Sequence, residues 1–263
     1  MAPLFSILLI PLIGAISPEA VFEQANTAYG EGAYTEAASL YEQLISDGVH
    51  DPVVFYNLGN AYFNAGRLGP AVANFERALR LAPDFERARV NLDHALAQAE
   101  RRLAPPLPSW WEQTVLFWHS RLAPRSIYTL ALLSWCLFWA VLSARRWKSF
   151  AYSRVLVILI AGSTFVFGFS AWAKAHPLKL AVASIERVPV QYVLGESDTV
   201  QFELFEGDRV LVEERRGAWL RIATTDGRRG WTRADAMTLV GPPYTPAPAA
   251  MQTSNRSRTD GAG

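Results

Sequence analysis

The chain has one cysteine in 263 residues, Cys136. That excludes an intrachain disulfide framework and any cluster of thiolates for a metal. Histidine is scarce as well. His50, His94, His119 and His176 fall in four separate segments, with no spacing that would gather them on one ion. There is no glycine-rich phosphate loop and no pairing of nucleophile with base, so the sequence reads as non-enzymatic, with no metal and no cofactor. An excess of one charge is lacking too. The 25 basic and 24 acidic residues leave a net charge of +1, which gives no basis for nucleic-acid binding. Charge is missing altogether from residues 126–144 and 155–173, two apolar runs of 19 residues each.

As a helix, at about 1.5 Å per residue, each run spans roughly 28 Å, close to the thickness of a bilayer's hydrocarbon core. A buried helix of a soluble domain, the alternative, normally shows a polar face, and neither run has one. Their main polar residues are hydroxyls, which a helix can bond to its own backbone. The loop between the runs, residues 145–154, carries Arg145, Arg146, Lys148 and Arg154 and no acid. Short cationic loops resist translocation, so this one is expected in the cytoplasm, with both ends of the chain on the other side. Trp147 and Trp172 sit near the run ends, where headgroups would be. Residues 4–16 form a shorter apolar stretch broken by Pro11. Residues 1–17 therefore read as a signal peptide or an uncleaved anchor, and export of the chain beyond them is expected in either case.

Laying the chain over itself with a shift of 34 pairs Asn26 with Asn60, Tyr29 with Phe63, Gly32 with Gly66, Ala37 with Ala71 and Tyr41 with Phe75. A period of 34 belongs to the tetratricopeptide repeat, a pair of antiparallel helices. Residues 52–85 resemble that family closely, with Leu58-Gly59, Tyr62, Ala71, Phe75, Ala78 and Pro83 in its pattern positions. A looser copy covers 18–51, and a capping helix is expected over 85–103, its polar side (Glu86, Arg87, Arg89, Asp93, Arg101, Arg102) facing solvent. The repeat domain is thus placed at 18–103.

In this family the first helix of each repeat lines the concave face. By register that face holds Phe22, Asn26, Tyr29, Tyr56, Asn57, Asn60, Phe63, Arg87 and His94. Asn26, Asn57 and Arg87 fall where the family's carboxylate-clamp members place two amides and a base, whereas Phe22 and Asn91 stand where a clamp would want basic residues. Either these residues contact a partner peptide or the asparagines only solvate the groove. If they make contact, the partner-binding residues are Asn26, Tyr29, Asn57, Asn60, Phe63, Arg87 and His94. On this reading the groove amides are expected to contribute little to stability.

Residues 104–125 join this domain to the first run. Ala104-Pro105-Pro106-Leu107-Pro108 is a stiff linker, and Trp111, Val115, Trp118 and Leu122 then share a helical face. That face would lie on the membrane or pack against the repeats. Beyond the second run, short strand-like segments (181–185, 188–193, 209–213, 218–223, 228–232, 236–240) predict a small all-β barrel, with Asp226-Gly227 as a hairpin turn. Glu206-Gly207, Gly217-Ala218-Trp219 and Gly230-Trp231 resemble the recurring pieces of the bacterial SH3 family over 179–240, while the first third of that stretch departs from the pattern. Trp219 and Trp231 either form an aromatic docking face or close a small core. The tail, 241–263, is rich in Pro, Ala, Ser, Thr and Gly and reads as disordered.

The order of leader, repeats, membrane hairpin and SH3-like barrel is similar to the BatE family of aerotolerance operons. Two docking modules on a membrane hairpin read as a scaffold or adaptor in the bacterial inner membrane, with both soluble domains extracytoplasmic by the charge of the loop 145–154. The resemblance implies as partners membrane proteins with von Willebrand A domains and, indirectly, a MoxR-type ATPase. The rival reading is a cell-wall-binding protein whose repeats recruit wall enzymes.

Overall fold

The computed structural model describes residues 17–101, 103, 121–144, 153–175, 179–194 and 200–244. The expected leader up to Ile16, most of the connector and its interfacial helix (104–120), the basic loop at 145–152 and the tail from 245 lie outside the described residues.

Five helices come first: α1 (Pro18–Gly30), α2 (Tyr34–Ser46), α3 (Pro52–Asn64), α4 (Leu68–Leu81) and α5 (Glu86–Gln98). The repeat is visible in their spacing, since α1 and α3 start 34 residues apart (18 to 52), as do α2 and α4 (34 to 68). Ser17 and Asp51 cap α1 and α3 by accepting hydrogen bonds from the backbone N–H groups of Ala20 and Val53, each with proline at the first helical position. The chain reverses within each pair at Gly32 and Gly66, both at positive φ (81° and 74°). Small residues set the close approach of the helices. A β-carbon at Gly59 would lie 2.6 Å from the Phe75 ring, and Ala25, Ala37, Ala61 and Ala71 have no exposed surface.

The last helix is shorter than the pattern predicts. It ends at Gln98, where Ala99 turns extended (φ −65°, ψ 139°). Arg101 is accordingly not part of a solvent-facing helical side. Its guanidinium reaches Asp208 at 3.0 Å, and Leu103 packs on the apolar core of the C-terminal sheet.

Two long helices come next, α6 (Pro124–Ala144) and α7 (Ser153–Ala175), packed on each other. Their most apolar stretches have mean hydropathies of 1.8 and 2.1, so both are long and apolar enough to cross a membrane. Those stretches are only 6% and 11% buried, unlike a core helix of a soluble domain. The hydroxyls are absorbed as expected: Ser134 donates to the Ala131 carbonyl, and Thr164 to those of Ile160 and, across the hairpin, Ser134.

The C-terminal part is an antiparallel sheet of seven strands: β1 (Leu180–Ala183), β2 (Arg187–Gln191), β3 (Val200–Phe205), β4 (Arg209–Arg216), β5 (Trp219–Ala223), β6 (Arg229–Arg233) and β7 (Met237–Leu239), in the order β3-β2-β6-β5-β4-β1-β7. A 3-10 turn, Ala234–Ala236, precedes β7. β3 falls between the expected strands 188–193 and 209–213 and is not among them. Its Phe202 and Leu204 point into the core while Gln201 and Glu203 point out. We refer to residues 179–244 as the β-unit.

Helix α4 packs against β1 and β7. Leu180, Val182 and Val240 join the same apolar cluster as Phe55, Leu58 and Phe75 of the helices, so helices and sheet share a core.

Candidate functional site

The first helices of the pairs, α1, α3 and α5, are linked along one face by an asparagine ladder. Asn57 donates to the Asn26 side-chain oxygen at 3.4 Å, and Asn91 donates to the Asn60 side-chain oxygen at 2.7 Å. Both bonds join residues 31 apart, and the second is the first moved along by one repeat (26 to 60, 57 to 91). Tyr41 also donates to the Asn26 oxygen, at 2.6 Å, and the Asn64 amide donates to the Tyr29 hydroxyl at 2.9 Å. Burial raises the Tyr41 hydroxyl to about 12 and pushes Tyr29 up as well. Phe63 lies beside His94, ring centres 5.3 Å apart, while Arg87 and His94 are exposed on α5.

All seven residues expected on the repeats therefore sit on the three helices predicted to form the groove. Asn26, Asn57 and Asn60 are bonded members of a network rather than idle amides, and Asn26 is the only described partner of the Tyr41 hydroxyl proton. Sequence reasoning missed Asn64, and named Asn91 only as a departure from a carboxylate clamp. The signal for Asn91 was present, since it is the 34-residue image of Asn57.

The two tryptophans of the β-unit part company. Trp231 is 9% exposed, with the Arg216 guanidinium over its ring at 5.3 Å. Trp219 instead lines a cavity of about 230 Å³ with Ile185, Pro189, Gln191, Thr232 and Ala236, and the Arg233–Asp235 ion pair stands beside it. Gln191 is 8% exposed, and its side-chain oxygen has no hydrogen-bond partner among the described residues. A joint docking face of both rings does not form, because Trp231 is covered.

On the opposite side of the helical unit, α4 meets the β-unit. The Arg77 guanidinium, 1% exposed, donates to the Leu239 carbonyl at 2.7 Å and to the Asn74 oxygen at 2.9 Å, and burial pulls its pKa down to about 10. It lies over the rings of Phe55 and Tyr244, 5.8 and 5.5 Å from their centres. Arg209 pairs with Glu76 at 2.7 Å. The described residues hold no cluster of three or more metal-ligating side chains.

No curated protein matches this chain. The tetratricopeptide repeat family model matches residues 52–85, which span α3, α4 and the turn after them. Those residues form a tetratricopeptide repeat, a unit that mediates protein–protein interaction.

Proposed function

We propose that the chain is a non-catalytic, membrane-anchored scaffold that gathers other proteins outside the cytoplasm, in keeping with its resemblance to the BatE family. Membrane proteins with von Willebrand A domains are the partners proposed for the groove. A MoxR-type ATPase would be engaged indirectly, since on this topology it could meet only the basic loop 145–154. The observation that carries the reading is the asparagine ladder. Asn26 and Asn60 spend their carbonyl oxygens on it, and none of their amide N–H groups is engaged by a described residue, so these can donate to a bound main chain.

The test is affinity purification of the tagged full chain from native membranes. The Asn57→Ala/Asn60→Ala double variant leaves the Asn26–Tyr41 bond in place. It should lose von Willebrand A domain proteins while its circular dichroism and unfolding midpoint stay near wild type. An unchanged set of partners would sink the reading. Topology is tested separately in a Cys136→Ser background: an impermeant maleimide should label Ser254→Cys but not Ser149→Cys in spheroplasts.

The cavity beside Trp219 favours a second reading, in which the β-unit binds cell-wall polymer. Retention of the detergent-solubilised full chain on purified sacculi, lost on Trp219→Ala, would support it.

A further inference from the structure

We propose that the β-unit is the built-in partner of the helical repeats, docked permanently on α4, so that the two parts on either side of the long hairpin act as one rigid body. Modules separated by α6 and α7 would ordinarily move independently, as polar inter-domain contacts allow. Here the contact has the character of a core. Leu180, Val182 and Val240 are 9%, 0% and 1% exposed within the helical cluster.

The backbones also approach too closely for a chance contact. A β-carbon on Gly69 would lie 2.1 Å from the Ala183 carbonyl oxygen and 2.7 Å from the Ser184 Cα, so only glycine fits there. Helix α4 has no side-chain cap from its own N-terminal flank. The cap comes from the other domain, as the Glu206 carboxylate accepts from the Gly69 N–H at 2.8 Å. Next to it, Asp208 accepts from Arg101 at 3.0 Å and from the Phe205 N–H at 2.9 Å.

Beyond β7 the chain runs back over the helices. Tyr244 packs on His50 and Phe55, with ring centres 4.7 and 4.8 Å away, and covers Arg77. The α4 face is thereby covered by the β-unit and Tyr244. That unit's first strand starts five residues after α7 ends, a reach of at most about 18 Å.

Gly69→Ala separates docking from helix stability, because alanine favours a helix over glycine and would be tolerated on an undocked α4. In the detergent-solubilised full chain carrying Cys136→Ser, spin labels at Glu36→Cys and Arg215→Cys report the distance between the two parts. The wild-type background should give a narrow distribution, and Gly69→Ala a broad one with the helical signal retained. Glu76→Arg and Arg209→Glu should each broaden it, and their combination should narrow it again by restoring the pair in reverse. A broad distribution in the wild-type background, or a narrow one in Gly69→Ala, would overturn the proposal. So would a double variant no narrower than the single ones.

Discussion

The two faces of the helical unit are built from the same repeats but finished differently. On the α4 face, buried and partly buried charges are matched across a long stretch of chain: Glu76 with Arg209, Arg101 with Asp208, Arg77 on the Leu239 carbonyl. On the α1–α3–α5 face, the polar groups that bond one another are neutral amides and phenols, partly open to solvent, with Arg87 exposed at the end of the ladder. A buried charge is costly without its partner, so the first arrangement suits a permanent contact. An amide exchanges water for a peptide group at little net cost, which suits a surface that gains and loses a ligand.

The comparison predicts unequal penalties. Arg209→Ala should be the most damaging of these changes, since it removes the guanidinium that pairs with the largely buried Glu76 carboxylate at 2.7 Å. Breaking one side of a buried pair costs on the order of 3–5 kcal/mol, and because Glu76 keeps some exposure the lower end is expected, about 3 kcal/mol. Denaturant unfolding of the full chain measures it. A loss below about 0.5 kcal/mol, the range of an ordinary surface change, would show that the α4 face is not a buried contact.

Alkaline pH should act on the helical unit through its tyrosines. Burial holds the Tyr41 hydroxyl at about 12, against 10.0 for an exposed tyrosine, and pushes Tyr62, bonded to Glu42, higher still. An acid whose folded pKa is raised stabilises the fold fully below its unfolded pKa. That contribution is lost as pH climbs from 10 towards 12, and each tenfold change in the ionisation equilibrium is worth about 1.4 kcal/mol. The phenolate absorbance that is lost on Tyr41→Phe should therefore appear late and together with loss of helical signal. A wild-type minus Tyr41→Phe difference that rises near pH 10 with the helices intact would contradict the buried placement of Tyr41.

Within the groove the penalty should differ between two asparagines at the same repeat position. Asn26→Ala strands the hydroxyl of Tyr41, a residue 1% exposed, and should cost about 1–2 kcal/mol. Asn60→Ala should cost less than about 0.5 kcal/mol, because the residue at the matching place one repeat on is Phe75, which has no hydroxyl to strand. Equal losses in thermal unfolding would mean that the Tyr41 bond carries no weight. The expectation that every groove amide contributes little to stability thus holds for Asn60 and fails for Asn26.

What the sequence made legible was local. The 34-residue period located α1 to α4, because each repeat buries its small and aromatic residues against its own neighbours. The Asp226-Gly227 turn between β5 and β6 was readable for the same reason. The α4 contact was not. Nothing in the local pattern of α4 marks Glu76 or Arg77 as contact residues, and Arg209 is 133 residues from Glu76. Glu206-Gly207 matches the SH3 pattern as a turn before a strand, yet its carboxylate caps a helix 137 residues earlier. One local clue existed: Gly69, in the first turn of α4, is a residue that helix propensity does not favour. β3 was also within reach, since Val200 to Phe205 alternates with period two. The ladder was half legible, with Asn26, Asn57 and Asn60 found by register and Asn91 set aside because it did not suit a carboxylate clamp.

The smallest stability effect is expected at Arg87. It is exposed on α5 at the end of the ladder, so Arg87→Ala should leave the unfolding midpoint within the range of ordinary surface changes, about 0.5 kcal/mol. Its effect on partner recovery should also be partial, because an exposed cation acts through a field that salt screens over roughly 10 Å at 0.1 M. Recovery by the wild-type chain should therefore fall as salt is raised, and recovery by Arg87→Ala should start lower and respond less. The Asn57→Ala/Asn60→Ala variant should lose its partners at every salt concentration, since main-chain hydrogen bonds at the ladder are short-range. If Arg87→Ala abolished recovery outright while that variant retained it, the groove would be selecting an acidic group rather than an extended main chain. The asparagines would then serve only to hold the three helices in register.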